Sequence, residues 1–202
     1  MKKIILLSVT LFFAVNMFVD SRDNVVYHTI RVGNKTWLKE NLKFIFEDSS
    51  ANRTHSLKIK DYFEKYGAYY SYDSAMDACP EGFHPITIQE FKLLVKEMKG
   101  THNELGGKIV SKKELDKYGF KLGGLSSASR KVNWNEQIGF YWTSSDTMKT
   151  YYKKPEDGLQ RHLIGLHIYN KKDTDSFNIE PTYVYAKENF SRLYLNCKCV
   201  SN

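Results

Sequence analysis

The residues best suited to chemistry in this sequence are its three cysteines, Cys79, Cys197 and Cys199. A thiol can form a disulfide, bind a soft metal ion or, once deprotonated, act as a nucleophile. Apolar and polar residues alternate over 191–200, so Cys197 and Cys199 are expected on one face of a strand. Neighbours on the same strand face are held too far apart to bond each other. We therefore expect Cys79 to form a disulfide with one of the two, leaving the third cysteine as a thiol.

The other reactive or metal-binding residues form no recognisable site. The six histidines are not spaced as metal ligands, and the Cys-x-Cys pair has no neighbouring histidine to complete a zinc site. Calcium needs about six to eight oxygen ligands, and the sequence around Trp134 is poor in acids. A nucleophilic Cys197 would need exposure and an activating base, whereas the inner face of a strand would bury it. We predict no catalytic residue, no metal site and no cofactor.

A polar segment over 151–162 has the composition of a binding loop. Adjacent tyrosines offer flat, partly apolar faces to a sugar ring or a protein partner, and the flanking cations would attract an acidic group. Binding residues are commonly carried by loops on a rigid scaffold. The predicted ligand contacts are Tyr151, Tyr152, Lys153, Lys154 and Arg161. The alternative is a solvated surface loop without a ligand, because exposed tyrosine and lysine are common.

The elements that would position these residues follow an N-terminal segment typical of a secretory signal peptide. Lys2 and Lys3 precede an apolar core over 4–13, which is too short for a permanent membrane span. We predict a signal peptide over 1–21 and a single domain over 22–202. The protein would then be secreted or held in the cell envelope, without a stable membrane span once the leader is removed. The alternative is a leader that is retained as an anchor.

The basic charge of the chain does not indicate a nucleic-acid-binding protein. The net charge is +7 in 202 residues, but the lysines and arginines are scattered along the chain. No DNA- or RNA-binding motif is present, and an exported protein seldom meets nucleic acid. An extracellular glycan or protein is therefore the expected partner.

Periodicity predicts an α+β domain with two helices, short antiparallel strands and long loops. The strongest signal is a capping box at Thr87 and Glu90, which begins an amphipathic helix over 88–99. The second helix is predicted over 73–79, and a helical turn is indicated at 112–118. The predicted strands are 25–32, 35–38, 66–72, 140–144, 163–169, 177–185 and 191–200. A surface loop is predicted over 46–60.

Several blocks of the sequence match, in order, the pattern of a bacterial domain family. They are residues 33–42 (GNKTWLKENL), 69–84 (YYSYDSAMDACPEGFH), 106–108, 119–130 and 139–145. In these blocks the chain resembles the Fibrobacter succinogenes major paralogous domain family, over about residues 28–200. The resemblance implies export, a C-type lectin-like fold and a disulfide between Cys79 and Cys199. Cys197 is then the extra thiol.

The resemblance implies no established activity, so function is predicted here by analogy of fold. Lectin-like domains carry variable loops on a rigid, disulfide-linked frame. We therefore predict a secreted or cell-surface, non-enzymatic binding or adhesion module with a carbohydrate or protein ligand. One alternative is an oxidase-like enzyme related to the formylglycine-generating enzymes, which have a similar fold and use reactive cysteines; only Cys197 favours it. Another is a structural subunit of a surface assembly.

Overall fold

The computed structural model describes residues 16–47, 56–103, 107–127, 129–146, 161–170, 175–186 and 193–202. In these ranges the chain is α+β with mainly antiparallel strands, as predicted. The helices are α1 (Lys60–Tyr66), α2 (Tyr72–Ala78), α3 (Ile88–Glu97) and α4 (Lys112–Tyr118). The strands are β1 (Met17–Val19), β2 (Val26–Val32), β3 (Lys35–Leu38), β4 (Ser56–Leu57), β5 (Tyr69–Tyr70), β6 (Phe83–Pro85), β7 (Thr101–His102), β8 (Lys108–Ser111), β9 (Leu125–Ser127), β10 (Val132–Asn133), β11 (Ile138–Asp146), β12 (Arg161–Asn170), β13 (Ser176–Ala186), β14 (Leu193–Tyr194) and β15 (Cys199–Ser201). None of these four helices is long and apolar enough to cross a membrane.

One five-stranded sheet brings the two ends of the described chain together. Its order is β1-β2-β3-β15-β6, so the C-terminal strand lies between the N-terminal hairpin and β6. Val200 is opposite Trp37 on one side and His84 on the other. The β2–β3 hairpin confirms the strands predicted at 25–32 and 35–38.

A second five-stranded sheet has the order β11-β12-β13-β8-β7. The strands predicted at 163–169 and 177–185 are confirmed as β12 and β13, which pair antiparallel with Asn170 opposite Phe177. The prediction of short strands is wrong here, because β12 and β13 contain 10 and 11 residues. Pairing continues to Arg161 opposite Ala186, beyond the apolar stretch that the sequence pattern detects.

Two of the helices confirm the sequence prediction. At the start of α3, Thr87 Oγ1 accepts a hydrogen bond from the Glu90 amide at 3.1 Å. The Glu90 carboxylate accepts one from the Thr87 amide at 2.9 Å, which completes the predicted capping box. Ser71 caps the start of α2, because its side chain accepts a hydrogen bond from the Ser74 amide.

The prediction of only two helices is wrong, because α1 and α4 are also present. α1 overlaps the predicted 46–60 loop and 66–72 strand. It buries only Phe63 and Tyr66, and so short an apolar stripe gives little helical periodicity. α4 coincides with the stretch in which the pattern indicates only a helical turn, and Ser111 caps it.

The single strand predicted over 191–200 is also wrong in the part that the structure describes. The chain forms β14, two isolated bridges at Leu195 and Asn196, and then β15. The Asn196 side-chain amide donates hydrogen bonds to the Tyr66 carbonyl at the end of α1 and to the Ala68 carbonyl just after it, which holds this stretch inside the domain. Cys197 and Cys199 are buried as predicted, but so is Lys198 between them. The alternation of apolar and polar residues over 191–200 therefore does not distinguish a buried face of this stretch from an exposed one.

A glycine at the end of α4 allows two backbone segments to meet. Gly119 has φ +70°, and a Cβ atom at this position would overlap the Lys39 carbonyl oxygen. The residue thus needs both a left-handed conformation and the absence of a side chain. Gly119 also influences where Phe120 and Lys121 lie, because these two residues follow it directly.

We expect Gly119→Ala to lower the free energy of unfolding by about 3 kcal/mol, since it adds a backbone overlap to a strained conformation. Gly82→Ala is the matched control: Gly82 has φ +79°, but nothing lies within 4 Å of its added Cβ. Its cost should be about 1–2 kcal/mol, from the left-handed conformation alone. Urea denaturation of both variants measures the difference, and equal losses would contradict the proposed overlap with Lys39.

Candidate ligand-binding pocket

The predicted ligand loop lies mostly outside the described residues. This applies to Tyr151, Tyr152, Lys153 and Lys154. Arg161 is the first residue of β12, where its backbone pairs with Ala186. A ligand site in this loop stays a prediction.

The three cysteines form one compact cluster. Cys79 and Cys199 are joined in a disulfide with a Cα–Cα distance of 5.7 Å, which confirms the pairing that the family resemblance implies. Cys197 is a buried thiol, and all three sulfur atoms lie within 4.8 Å of one another. Burial raises the pKa of the Cys197 thiol to about 12, and Lys198 opposes this shift. The thiol is therefore protonated and shielded near neutral pH, the opposite of what a cysteine nucleophile requires.

His84 belongs to a hydrogen-bonded structural network. Its Nε2 lies 2.9 Å from Glu90 Oε1, and its Nδ1 lies 2.8 Å from Asn202 Oδ1. Glu90 is also the capping-box residue of α3, so the imidazole links the start of that helix to the residue that follows β15. Both ring nitrogens are thus engaged in holding elements together.

A cavity of about 330 Å³ lies where α1, α4 and the segment after α4 meet β13. Its volume is within the range of small-molecule sites, which begins at about 300 Å³. The residues that line it come from five separate parts of the sequence. They are Lys65, Tyr66, Lys112, Leu115, Asp116, Phe120, Lys121, Leu122, Glu136 and Phe177.

The floor of this pocket is apolar and belongs to the hydrophobic core. Leu115, Phe120 and Phe177 are buried members of one hydrophobic cluster. Phe120 packs edge-to-face against Tyr141, with ring centroids 5.4 Å apart. The Tyr141 hydroxyl in turn donates to the Lys121 carbonyl at 2.8 Å and accepts from the Lys121 amide at 2.7 Å. This arrangement fixes the backbone that carries both the floor and part of the rim.

One side of the rim has an excess of positive charge. Asp116 is 2.5 Å from Lys112 Nζ and 3.4 Å from Lys121 Nζ. The hydrogen bond from Lys112 is the main cause that lowers the pKa of Asp116. Two ammonium groups therefore share one carboxylate, and an anionic ligand group could add to the pair without displacing it.

The rim also includes a pair of exposed charges, one of which lies on a constrained turn. Lys65 Nζ forms an ion pair with Glu136 Oε1, and the Tyr66 hydroxyl is 3.3 Å from the same oxygen. Glu136 has φ +64°, and Trp134, two residues earlier, has φ +56°. The Glu136 amide donates to the Leu122 carbonyl at 2.7 Å, which fastens the turn to the pocket wall. Non-glycine residues in this conformation are strained, and such strain is concentrated at functional sites.

Trp134 on this turn is 52% exposed, whereas Trp37 and Trp142 are 2% and 0% exposed. The sequence contains three tryptophans, so Trp134 is the one whose fluorescence would respond to a ligand near the rim. Its ring centroid lies 6.4 Å from that of Phe140. An exposed indole beside a pocket offers an additional flat surface for a ligand.

Sequence reasoning did not identify this pocket. Two local signals were available: the i,i+4 pair Lys112–Asp116 and the glycine that ends α4. Neither indicates that α1 and β13 lie beside α4. The pocket combines an apolar floor with ammonium and carboxylate groups. In comparisons with known proteins, the chain matches no protein-family model, no curated protein and no solved structure.

Proposed function

We propose that this protein is an exported, non-enzymatic binding domain whose ligand is an acidic carbohydrate held in the 330 Å³ pocket. The observation that carries the proposal is the apolar floor beneath a rim on which Lys112 and Lys121 share Asp116. The C-type lectin-like fold implied by the sequence resemblance is part of the same proposal. A disulfide between Cys79 and Cys199 is compatible with export, because disulfides persist in oxidising compartments.

The two halves of the pocket match the two halves of such a ligand. One face of a pyranose ring carries mainly C–H groups, which pack on aromatic and aliphatic side chains such as Phe120 and Leu115. A carboxylate on the ring would accept charge-assisted hydrogen bonds from Lys112 and Lys121. A neutral sugar would gain only the packing against the apolar floor, so the site should bind acidic sugars more tightly than neutral ones. Because these lysines are about half exposed, binding should weaken as salt is added.

An oxidase role would depend on a reactive Cys197. That thiol is fully buried, and its pKa is raised to about 12. A deprotonated, accessible thiol would be needed for attack on a substrate or for oxygen chemistry. The burial of Cys197 therefore favours the binding role over the enzyme.

The test is a glycan array rich in uronic and sialic acids, probed with the mature domain and followed by titration of the best ligand. Lys112→Ala combined with Lys121→Ala should weaken binding about 10- to 100-fold, because two charge-assisted hydrogen bonds of about 1 kcal/mol each are lost. Lys92→Ala combined with Lys96→Ala removes the same charge from the exposed face of α3 and should leave affinity unchanged. Trp134 fluorescence reports binding in all three proteins.

Three outcomes would contradict the proposal. If the two double variants lost affinity equally, the effect would be general electrostatics rather than the pocket. If Tyr151→Ala combined with Tyr152→Ala abolished binding while the pocket variant kept it, the ligand site would be the loop predicted from the sequence. Binding to a protein and to no acidic glycan would likewise exclude a carbohydrate ligand.

A further inference from the structure

The first strand of the domain lies inside the segment that the sequence pattern assigns to the leader. β1 pairs antiparallel with β2, with Met17 opposite His28 and Val19 opposite Val26. The Thr29 amide extends this pairing by donating to the Asn16 carbonyl at 2.7 Å. Residues 16–19 thus form an integral edge strand of the sheet that also contains β15.

Asp20 fixes the turn that follows β1. It is 0% exposed, and its carboxylate accepts hydrogen bonds from Arg22 Nε at 2.9 Å and from an Arg22 terminal nitrogen at 2.7 Å. The Asp20 amide donates to the Val25 carbonyl at 2.9 Å, which closes the hairpin between β1 and β2. A buried carboxylate with a bidentate arginine partner is a structural ion pair, and breaking it would leave buried charge unpaired.

The same arginine ties the N-terminal hairpin to the disulfide region. Arg22 donates to the Ala78 carbonyl at 2.8 Å and to the Cys79 carbonyl at 3.4 Å. Its guanidinium lies 3.8 Å from the centroid of the Phe44 ring. Phe18 of β1 adds an apolar contact, because its ring centroid is 4.7 Å from that of Phe83.

We infer that residues 16–21 remain in the mature protein, and that the leader is removed on the N-terminal side of Asn16 rather than after Ser21. The inference rests on the export that the proposed function includes. Cleavage after Ser21 would remove β1 and uncover the β2 edge, where Phe18 is paired with the fully buried Tyr27. It would also separate Arg22 from Asp20 while Arg22 stays against the Ala78 and Cys79 carbonyls.

The direct test is N-terminal sequencing of the full chain after export from a bacterial host. The expected first residue is Asn16 or one of the few residues before it, whereas a chain that still begins at Met1 would show that the leader is retained and would overturn the inference. A mature chain that begins at Arg22 would overturn the inference. A chain that is never exported would instead contradict the exported location in the proposed function, and the boundary is then decided by the second measurement.

The second measurement joins an unrelated, efficiently cleaved leader either to Asn16 or to Arg22. The protein that begins at Arg22 should melt at least about 10 °C below the protein that begins at Asn16, or accumulate several-fold less. A matched point variant separates the ion pair from the strand. In the longer protein, Asp20→Asn should lower the melting temperature, whereas Asp23→Asn, at an exposed position of the same turn, should change it little. Equal melting temperatures for the two starting points would show that residues 16–21 are dispensable and overturn the inference.

Discussion

Cys79→Ser should lower the free energy of unfolding by about 4–5 kcal/mol. The disulfide joins residues separated by 120 positions, and closing so long a loop removes a large amount of conformational entropy from the unfolded chain. The loss also frees the turn around Cys79, whose carbonyl Arg22 contacts. Urea denaturation without reductant measures the effect, with the reduced wild type as the reference for complete loss of the bridge.

Cys199→Ser should be less harmful than Cys79→Ser, although each variant removes one half of the same disulfide. The Cys197 sulfur lies within 4.8 Å of the Cys79 sulfur, so the two thiols can be oxidised to an alternative bridge that closes almost the same loop. In Cys79→Ser the remaining thiols are two residues apart, a spacing that disfavours a bond. We expect Cys199→Ser to keep one disulfide. Its free energy of unfolding should fall by only about 1–2 kcal/mol, because the geometry of the alternative bridge is imperfect.

Peptide mapping without reduction provides the control for this pair of variants. A Cys79–Cys197 peptide should be recovered from Cys199→Ser after oxidation. Adding Cys197→Ser to Cys199→Ser should remove the bridge and bring the loss of stability to the level of Cys79→Ser. If Cys199→Ser carried two free thiols and were as unstable as Cys79→Ser, the sulfur cluster would not permit the exchange.

Elements with local signals could be predicted from the sequence. The Thr87–Glu90 capping box spans three residues and needs no tertiary partner, so it locates the start of α3 correctly. The spacing of Cys197 and Cys199 restricts the disulfide to two pairings, and the family resemblance selects the one that is present. The β12 and β13 strands could also be predicted from local sequence, because a polar stretch separates two apolar ones.

The pocket could not be predicted, because its walls are brought together by contacts between distant parts of the chain. Lys65 lies on α1, Asp116 on α4 and Phe177 on β13. Periodicity indicates which side of an element faces inward, but it does not say which other element it meets. The meeting of α4 with the segment around Lys39 depends on a single glycine, Gly119, whose role is visible only in three dimensions.

Buried lysines are a second feature that composition rules miss. Lysine is almost never fully buried unless paired, so lysines scattered along a chain are expected on its surface. Lys108 is nevertheless buried, and its Nζ donates to the Val95 and Met98 carbonyls at the end of α3. It thereby satisfies carbonyls that the last helical turn leaves without intrahelical donors. Lys198 is the more extreme example.

Lys198→Met should raise the free energy of unfolding near neutral pH. It should also abolish much of the pH dependence of that free energy above about pH 7. The Lys198 side chain is fully buried; its Nζ donates to the Lys39 carbonyl and lies 5.2 Å from the centroid of the Phe120 ring. Burial lowers the pKa of this lysine to about 7, with Glu40 opposing the shift and Lys121 and Lys39 adding to it. The folded domain therefore favours the neutral amine.

The direction of the pH effect follows from this lowered pKa. The unfolded chain binds the proton more tightly, because the ordinary pKa of a lysine is 10.5. The contribution of Lys198 to stability is thus present above pH 10.5 and is lost as the pH falls toward about 7. The difference in pKa corresponds to on the order of 4–5 kcal/mol. Methionine cannot be protonated, but it leaves the Lys39 carbonyl without its donor, at about 1–2 kcal/mol.

We therefore expect Lys198→Met to be about 2–3 kcal/mol more stable than the wild type near pH 7 and slightly less stable near about pH 10, so that the two stability curves cross. Cys197 must be replaced by serine in both proteins, since its raised pKa makes stability fall from about pH 9 toward about pH 12. Lys92→Met, on the exposed face of α3, should leave the pH dependence unchanged. A Lys198→Met variant that is less stable than its background at pH 7 would show that the folded domain holds Lys198 as a cation, stabilised by Glu40 and the Phe120 ring, and the predicted crossing would be absent.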